Sequence, residues 1–236
     1  MSAGQSVAGE PHYVREYRRL LRNSRKNSAS ETEAYERAVG GSYRKKGEAQ
    51  AALIRESAPE GAFHLIDVGC GSGRLAYALR GETQIAYSGF DIMPELVAHA
   101  EKVCERPDWR FETISALAVP VPDASADLIA FMSVFTHLKR REIETYLAEA
   151  RRVLKPGGRI LASYLDPHEP KHTKPFLAPP LQRIARLLGK DVMLTRTARA
   201  ELTQWMEAAG LRVERAVVEG PIGQHVLIAR KPEPAA

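Results

Sequence analysis

The sequence predicts an α/β fold: a doubly wound, mostly parallel sheet with helices on both faces. In residues 63–75 a short apolar run ends in glycines, and apolar positions then resume at helical spacing. Across residues 47–165, apolar runs alternate with helical patterns through short connections. Residues 126–132 form a nearly continuous apolar run, which is typical of a parallel strand covered on both sides. Because crossovers between parallel strands are right-handed, such a chain covers both faces of one sheet with helices.

The first part of the chain is expected to lie outside this sheet. Residues 1–11 are small and polar without any period, so we expect a disordered tail. Residues 12–57 carry apolar and aromatic positions at helical spacing and predict a helical cap. Basic residues are concentrated between His12 and Asn27. They favour a solvated helix face or a loose arm, with a patch for nucleic acid or an anionic substrate as the alternative.

The predicted core, residues 58–165, contains five strands separated by helices. The strands are expected at 65–68, 84–91, 109–113, 126–132 and 160–165. Pro94 suits the first turn of the helix that follows the second strand. The Lys-Pro-Gly-Gly sequence at 155–158 is expected to end the helix before the fifth strand.

The last part of the chain is expected to complete the core. Residues 166–195 are rich in Pro, His and Lys in their first half and predict a substrate lid, with a helix near 181–188. Within 196–236, a helix is expected over 198–209 and strands over 212–219 and 224–230. The short connection between these two strands favours an antiparallel pair.

Composition narrows the class of protein. At 236 residues the chain suits one α/β domain with additions, and its net charge of +5 is only mildly basic. Two cysteines, Cys70 and Cys104, make neither a disulfide framework nor a zinc site, so we expect a reducing, cytoplasmic setting. The sequence has no apolar run of about eighteen residues and no signal-peptide pattern at its start, so neither a membrane span nor secretion is expected.

The glycine-rich turn at 69–73 predicts a nucleotide-like ligand. Such a turn brings backbone N–H groups to the carboxyl end of a buried strand, where glycine permits close approach. The next strand ends in Asp91, eighteen residues beyond Gly73, near the place where an acid reaches ribose hydroxyls in a βαβ unit. Together the two features indicate a ligand that contains adenosine.

The ordered motifs resemble those of the class I S-adenosylmethionine-dependent methyltransferases. They are Asp-Val-Gly-Cys-Gly-Ser-Gly at 67–73, Asp91, the Pro-rich turn before Asp127, and Leu-Lys-Pro-Gly-Gly at 154–158. The resemblance covers roughly residues 47–165, and the final strand pair fits the family's antiparallel seventh strand. It implies a seven-stranded sheet, S-adenosylmethionine as methyl donor and S-adenosylhomocysteine as product.

The resemblance also implies which residues bind the donor. Asp67 and the glycines would shape the turn beside its methionine and ribose portions, Asp91 would bind the ribose, and Ile92 and Met93 would flank the adenine. Many relatives place an acid after the third strand to accept from the adenine, but here that position is Ser115. Ser115, a backbone carbonyl or another residue would take over that contact. The full predicted set is Asp67, Gly69, Cys70, Gly71, Gly73, Asp91, Ile92, Met93, Ser115, Ala116 and Ser133.

Methyl transfer from a sulfonium is an in-line displacement that needs a base only when the acceptor carries a proton. His137 follows the fourth strand and is the best-placed candidate, with a local structural role as the alternative. Tyr164, at the end of the fifth strand, is the second catalytic candidate. Tyr35 and Tyr43 would either close over the site or pack in the core. No metal site is expected, because no carboxylate or histidine pair near the fourth strand has convincing spacing.

The predicted function is methyl transfer to a small-molecule acceptor, in secondary metabolism or glycan tailoring, by a monomer or homodimer. The atom that receives the methyl group stays open. The alternatives are an RNA methyltransferase that uses the basic stretch, a nicotinamide oxidoreductase, and a donor-binding protein without activity. Against the second, Arg74 stands where the dinucleotide fingerprint has its last glycine. Against the first, no RNA-binding module is recognisable, so nucleic acid is not an expected partner.

Overall fold

The computed structural model describes residues 11–39, 42–173, 194–218 and 222–234. Three helices come first: α1 (His12–Lys26), α2 (Glu31–Ala38) and α3 (Tyr43–Ser57). α1 is amphipathic, with Tyr13 and Leu21 buried and its basic residues mostly outside. The start of α2 is capped by Ser30, whose hydroxyl accepts a hydrogen bond from the Glu33 amide at 3.1 Å.

The described residues form one seven-stranded sheet. Its strands are β1 (Phe63–Val68), β2 (Ile85–Asp91), β3 (Arg110–Thr113), β4 (Ala126–Phe131), β5 (Leu154–Tyr164), β6 (Arg212–Val217) and β7 (His225–Arg230). Their order is β3-β2-β1-β4-β5-β7-β6, and every pair is parallel except those made by β7. The predicted fold class is therefore confirmed. β2 and β3 lie on one side of β1, and β4 and β5 lie on the other, so the order of strand addition switches between β1 and β4. A crevice lies at the carboxyl ends of the strands at such a switch point.

Helices cover both faces of the sheet. The elements between and after the strands are α4 (Arg74–Leu79), α5 (Pro94–Cys104), a 3-10 turn (Phe135–His137), α6 (Arg140–Val153), α7 (Pro170–Thr173) and α8 (Arg199–Ala208). On β1, Leu65 packs in the apolar cluster that includes α3 and α4, while its neighbour Ile66 packs in the cluster that includes α6 and α8. Successive side chains of a strand point to opposite faces, so each strand contributes to two cores.

The largest difference from the predicted element bounds is at β5. The predicted strand begins at residue 160, but the observed strand begins at Leu154, directly after α6. The Gly157 amide donates to the Lys231 carbonyl, and the Lys231 amide donates to the Gly158 carbonyl, each at 2.9 Å. The Lys-Pro-Gly-Gly segment is thus part of an interior strand, and its two glycines are hydrogen-bonded to the residue that follows β7.

Two predictions fall wholly or largely outside the described residues. The predicted tail, 1–11, has only its last residue among them, and the predicted lid, 166–195, is described at 166–173 and 194–195. The predicted helix near 181–188 lies outside them altogether. Other bounds differ by a few residues: α3 begins at Tyr43 rather than 47, and β3 begins at Arg110 rather than 109.

Candidate functional site

A cavity lies beyond the carboxyl ends of β1, β2 and β4, and its free space of about 820 Å³ includes open solvent at its mouth. This is the place where open α/β sheets bind ligands. Three regions line it: α1, the glycine turn with the end of β2, and the segments that follow β3 and β4. The sequence placed its candidate ligand site at this edge.

The glycine turn between β1 and α4 is shaped by close packing. Gly69 and Gly71 have φ angles of +75° and +55°, in the left-handed region. A Cβ on Gly69 would lie 2.4 Å from Cγ2 of Val134, and one on Gly71 would lie 2.9 Å from Cγ1 of Val39. The turn therefore requires glycine at both positions for its backbone conformation and for its approach to neighbouring side chains.

The first amides of the turn are hydrogen-bonded to β2. The Gly69 and Cys70 amides both donate to the Phe90 carbonyl, at 2.7 and 3.0 Å. The Gly71 amide donates to Oδ2 of Asp91 at 2.8 Å. The sequence predicted that N–H groups of this turn would face the ligand, but these three hold β1 and β2 together instead. They are not available to cradle a phosphate group.

Asp91 ends β2 at the cavity wall. Its Oδ2 accepts from Gly71 and its Oδ1 accepts from the Met93 amide at 2.9 Å. Burial raises the pKa of Asp91 to about 6, although the amide hydrogen bonds act in the opposite direction. Each carboxylate oxygen has a second lone pair, so both can still accept from ligand hydroxyls.

Asp67, at the end of β1, is the second buried carboxylate of the cavity. The Tyr87 hydroxyl donates to its Oδ2 at 2.7 Å. Its Oδ1 is buried and has no hydrogen-bond partner in the described structure. Burial raises the pKa of Asp67 to about 7, and the nearby charge of Asp91 acts in the same direction. A cationic ligand group would satisfy the unpaired oxygen and favour the ionised form.

His137, the predicted base candidate, lies in the 3-10 turn after β4 and lines the cavity. Its ring stacks edge-on against Tyr17 of α1, with centroids 5.1 Å apart. Its Nδ1 is buried and lacks a hydrogen-bond partner among the described residues. Burial lowers the pKa of His137 to about 4, so the imidazole is neutral near pH 7 and one ring nitrogen can accept a proton.

Eight of the thirteen predicted site residues line the cavity: Asp67, Gly69, Cys70, Gly71, Asp91, Ile92, Ser133 and His137. Ser133 has a φ of +68°, and its amide donates to Oγ of Ser163 at 2.6 Å. Buried Cys70 has its pKa raised well above the ordinary value by desolvation, so the structure gives no sign of a reactive thiolate.

The other five predicted residues lie outside the cavity lining. Gly73 caps α4 and packs against Ala100, Met93 packs in the cluster of α1, α2 and α5, and Ser115 and Ala116 are exposed. Their neighbours Ile114 and Leu117 line the cavity in their place. Tyr164 is fully buried, with its ring edge-on to His225. The donor or catalytic roles predicted for these residues gain no support from their positions.

For Tyr35 and Tyr43 of the helical cap, packing in the core was one of the alternatives that the sequence left open, and both side chains are packed in the structure. The Tyr35 hydroxyl donates to Oε1 of Glu31 at 2.6 Å, and the Tyr43 hydroxyl donates to the Ser72 carbonyl at 2.7 Å. Tyr13 and Tyr17 of α1 line the cavity, as does Tyr146 of α6. The shared apolar face of α1 was visible in the sequence, but its docking partner was not.

None of the described helices is long and apolar enough to cross a membrane. Among the described residues, no group of three or more His, Cys, Asp or Glu side chains could hold a metal ion.

Residues 65–158 match the family model described as "Methyltransferase domain". Over 135 residues the chain is 33% identical to malonyl-(acyl-carrier protein) O-methyltransferase of Hahella chejuensis, covering 54% of this chain and 44% of that protein. Over 154 residues it is 30% identical to demethylmenaquinone methyltransferase of Tropheryma whipplei, covering 61% and 60%. The chain thus spans about half the length of the curated relatives it matches.

The structural comparison agrees on the fold. A SAM-dependent methyltransferase from Methanosarcina mazei superposes with a TM-score of 0.61 at 19% identity, covering 77% of this chain and 97% of that one. At this identity the likeness concerns the fold alone.

Proposed function

We propose that this chain, whose residues 65–158 form a class I methyltransferase domain, binds S-adenosylmethionine and transfers its methyl group to a small-molecule acceptor. The observation that carries the proposal is the pair of buried carboxylates, Asp67 and Asp91, at the wall of the cavity. The donor carries a sulfonium, an ammonium and a ribose diol. Carboxylates are suitable partners for all three.

The hydrogen bonds of the glycine turn favour this donor over a nicotinamide dinucleotide. A dinucleotide places its pyrophosphate on free amides at the start of a helix. Here the Gly69, Cys70 and Gly71 amides already bond to β2, and a buried carboxylate stands beside them. A pyrophosphate would meet negative charge where it needs donors.

The donor's placement follows from these contacts. Asp91 accepts hydrogen bonds from the ribose hydroxyls, and Ile92, Ile114 and Leu117 provide an apolar wall for the adenine. Asp67 faces the amino-acid portion through its unpaired Oδ1. In this placement the acid expected after β3 is replaced by apolar contacts and not by Ser115, which is exposed.

The acceptor side of the cavity is aromatic and uncharged. Tyr13, Tyr17, Leu138 and Tyr146 line it together with His137. Burial raises the pKa of Tyr17 far above its usual range and lowers that of His137, so both rings are neutral near pH 7. An uncharged acceptor with an aromatic or apolar body fits this wall without desolvating a charge.

The chemical step needs little from the protein beyond alignment. The acceptor atom attacks the methyl carbon, the carbon–sulfur bond breaks, and its electron pair stays on sulfur as the sulfonium becomes a thioether. When the acceptor is a hydroxyl, its proton passes to the neutral imidazole of His137. The cavity contributes mainly by holding the acceptor in line with the methyl group.

Titration calorimetry with S-adenosylmethionine, S-adenosylhomocysteine and NAD tests the donor. We expect both sulfur ligands to bind with one site and NAD not to bind. Binding of NAD without either sulfur ligand would overturn the proposal. Methyl transfer from tritiated donor to a panel of small hydroxylated acceptors, with transfer RNA as a separate arm, then tests the acceptor class. Label in RNA alone would replace the small-molecule proposal by the RNA alternative.

A further inference from the structure

Ser133 is a strained residue at the wall of the cavity, and the proposed function does not explain its strain. Its φ of +68° lies in the left-handed region, which is unfavourable for a residue with a side chain. Three other described residues that are not glycine have a positive φ, Ser42, Glu105 and Ala124, and none of these three lines the cavity. Such strain persists only where the surrounding structure holds it. The contacts of Ser133 therefore indicate what its conformation does.

Two side-chain hydroxyls hold the backbone of Ser133. Its amide donates to Oγ of Ser163, on β5, at 2.6 Å, and its carbonyl accepts from Oγ1 of Thr136 at 3.0 Å. Ser163 and Thr136 are both buried. Because an unpaired amide away from water is costly, the Ser163 hydroxyl stabilises a conformation that the backbone of Ser133 otherwise disfavours.

Gln224, directly before β7, orients the Ser163 hydroxyl. A hydroxyl has one hydrogen, so Ser163 accepts from Ser133 with a lone pair and donates elsewhere. Its hydrogen is donated to Oε1 of Gln224 at 2.6 Å, while the Phe131 carbonyl lies farther away, at 3.4 Å. The hydrogen bonds from Gln224 through Ser163 to Ser133 thus connect β7, β5 and the segment after β4.

The conformation of Ser133 directs the residues that follow it. Val134 packs against the glycine turn, where its Cγ2 would lie 2.4 Å from a Cβ on Gly69. The His137 amide then donates to the Val134 carbonyl at 2.9 Å and closes the 3-10 turn. Residues 132–134, 137 and 138 all line the cavity. A change of φ at Ser133 to the ordinary region would therefore move this whole wall.

We propose that Ser163 is a positioning residue for methyl transfer: its hydroxyl holds Ser133 in the left-handed conformation and thereby keeps His137 at the cavity. The inference rests on the proposed function, since it concerns the placement of the base in the same site. Ser163 is not among the described residues that line the cavity, so it acts through the backbone of Ser133. If this is its role, relief of the strain at residue 133 should remove the need for the hydroxyl.

Ser163→Ala tests the inference by steady-state kinetics with a hydroxylated acceptor and by calorimetry with S-adenosylhomocysteine. Left-handed strain corresponds to a factor of about 5 to 30 in a conformational equilibrium, so kcat should fall by about that factor. The affinity for S-adenosylhomocysteine should stay within about threefold of wild type, because Asp67 and Asp91 lie on other segments. An unchanged kcat would overturn the inference.

Ser88→Ala, on β2, is the matched control. Ser88 is buried, and its Oγ lies 2.9 Å from Nε2 of His64. This variant also loses a buried hydroxyl with a side-chain partner, but neither residue is among those that line the cavity. It should lower the free energy of unfolding and leave kcat unchanged. A fall in kcat equal to that of Ser163→Ala would attribute both effects to general destabilisation and would overturn the inference.

A double-mutant cycle with Ser133→Gly separates positioning from packing. Glycine adopts a positive φ without strain, so a chain with glycine at this position has no strain to release. Introduced into Ser133→Gly, Ser163→Ala should lower kcat by about threefold or less, against about 5- to 30-fold in wild type. Equal factors in the two backgrounds would show that the hydroxyl does not act through residue 133, and the inference would fail.

His137 reports on the same change by nuclear magnetic resonance, without any acceptor. Burial lowers the pKa of His137 to about 4, and its ring lies edge-on to Tyr17. In Ser163→Ala the pKa of His137 should rise toward its ordinary value of about 6.5, because a displaced ring becomes hydrated. A pKa equal to that in wild type would contradict the proposed displacement.

The outcomes separate this inference from the proposed function. Failure of wild type to transfer a methyl group to any acceptor of the panel overturns both. Methyl transfer that Ser163→Ala leaves undiminished overturns the inference alone. If Ser163→Ala does not fold, Gln224→Leu decides by the same measurements. Its Ser163 hydroxyl can turn to the Phe131 carbonyl, so a smaller fall in kcat is expected, and no fall would overturn the inference.

Discussion

Replacement of Gly73 by alanine should destabilise the protein in two ways, through backbone conformation and through packing against α5. Gly73 caps α4 with a φ of +84°. A side chain in this left-handed region costs about 1–2 kcal/mol. A Cβ there would also lie 2.9 Å from both Cα and Cβ of Ala100 in α5. Because Cα belongs to a helix backbone, it cannot rotate away, and overpacking adds about 1–3 kcal/mol. Gly73→Ala should therefore lose about 2–5 kcal/mol of unfolding free energy.

Gly61 provides a matched control. Its φ is +78°, and no atom lies within 4 Å of the Cβ position. Gly61→Ala should thus show the conformational cost alone, about 1–2 kcal/mol. Urea unfolding followed by far-ultraviolet circular dichroism gives both free energies, provided that the urea dependence is unchanged. Equal losses for the two variants would refute the packing of the turn against α5.

Three further predictions concern the cavity. Asp91→Asn should weaken S-adenosylhomocysteine by about 10- to 100-fold in calorimetry, because a charged acceptor of ribose hydroxyls is lost; unchanged affinity would contradict the donor placement. The pKa of Asp67 is about 7 in the folded protein and about 3.9 in the unfolded chain. Between these values the native state holds a proton that the unfolded state has lost. The free energy of unfolding of the unliganded protein should therefore fall as the pH rises from about 4 to about 7. Asp67→Asn should flatten that dependence in urea midpoints, and an identical slope would count against the assigned pKa. With a hydroxylated acceptor, His137→Ala should lower kcat by about 10²- to 10⁴-fold while donor binding persists; an undiminished kcat would exclude His137 as the base.

Local patterns were enough to predict most of the fold. Periodicity and the glycine turn predicted the strands in sequence, and the resemblance to class I methyltransferases implied the antiparallel seventh strand; both are confirmed. The start of β5 could not be found in this way, because Leu154 belongs to the sheet through pairing with Ala126 of β4, and Gly158 through a hydrogen bond from Lys231. Propensity at a Pro-Gly-Gly segment indicates a helix stop and carries no information about a partner seventy residues away.

The sequence predicted the site residues that the strand ends and the glycine turn position. It missed those that are positioned by the packing of the cap helices on the sheet. Asp67, Gly71 and Asp91 lie in the cavity because strand ends and a βαβ turn dictate their position. Tyr17 and Tyr35 were indistinguishable in sequence, since both occupy apolar faces of cap helices. Only the packing of α1 over the cavity separates them, and that packing is a long-range property.

The hydrogen-bond partners of the turn amides also could not be predicted from the sequence. A glycine-rich turn was expected to offer N–H groups to a ligand. In the structure those of Gly69 and Gly71 are bonded to Phe90 and Asp91. Arg74, which stands where a dinucleotide fingerprint has its last glycine, lines the cavity and packs against α3.

A crystal structure of the protein with S-adenosylhomocysteine tests the central claim most directly. We expect the ribose hydroxyls within hydrogen-bond distance of Asp91 and the amino-acid end beside Asp67. We also expect the sulfur to face the side lined by Tyr17 and His137. A ligand bound elsewhere, or one whose ribose makes no contact with Asp91, would contradict this placement.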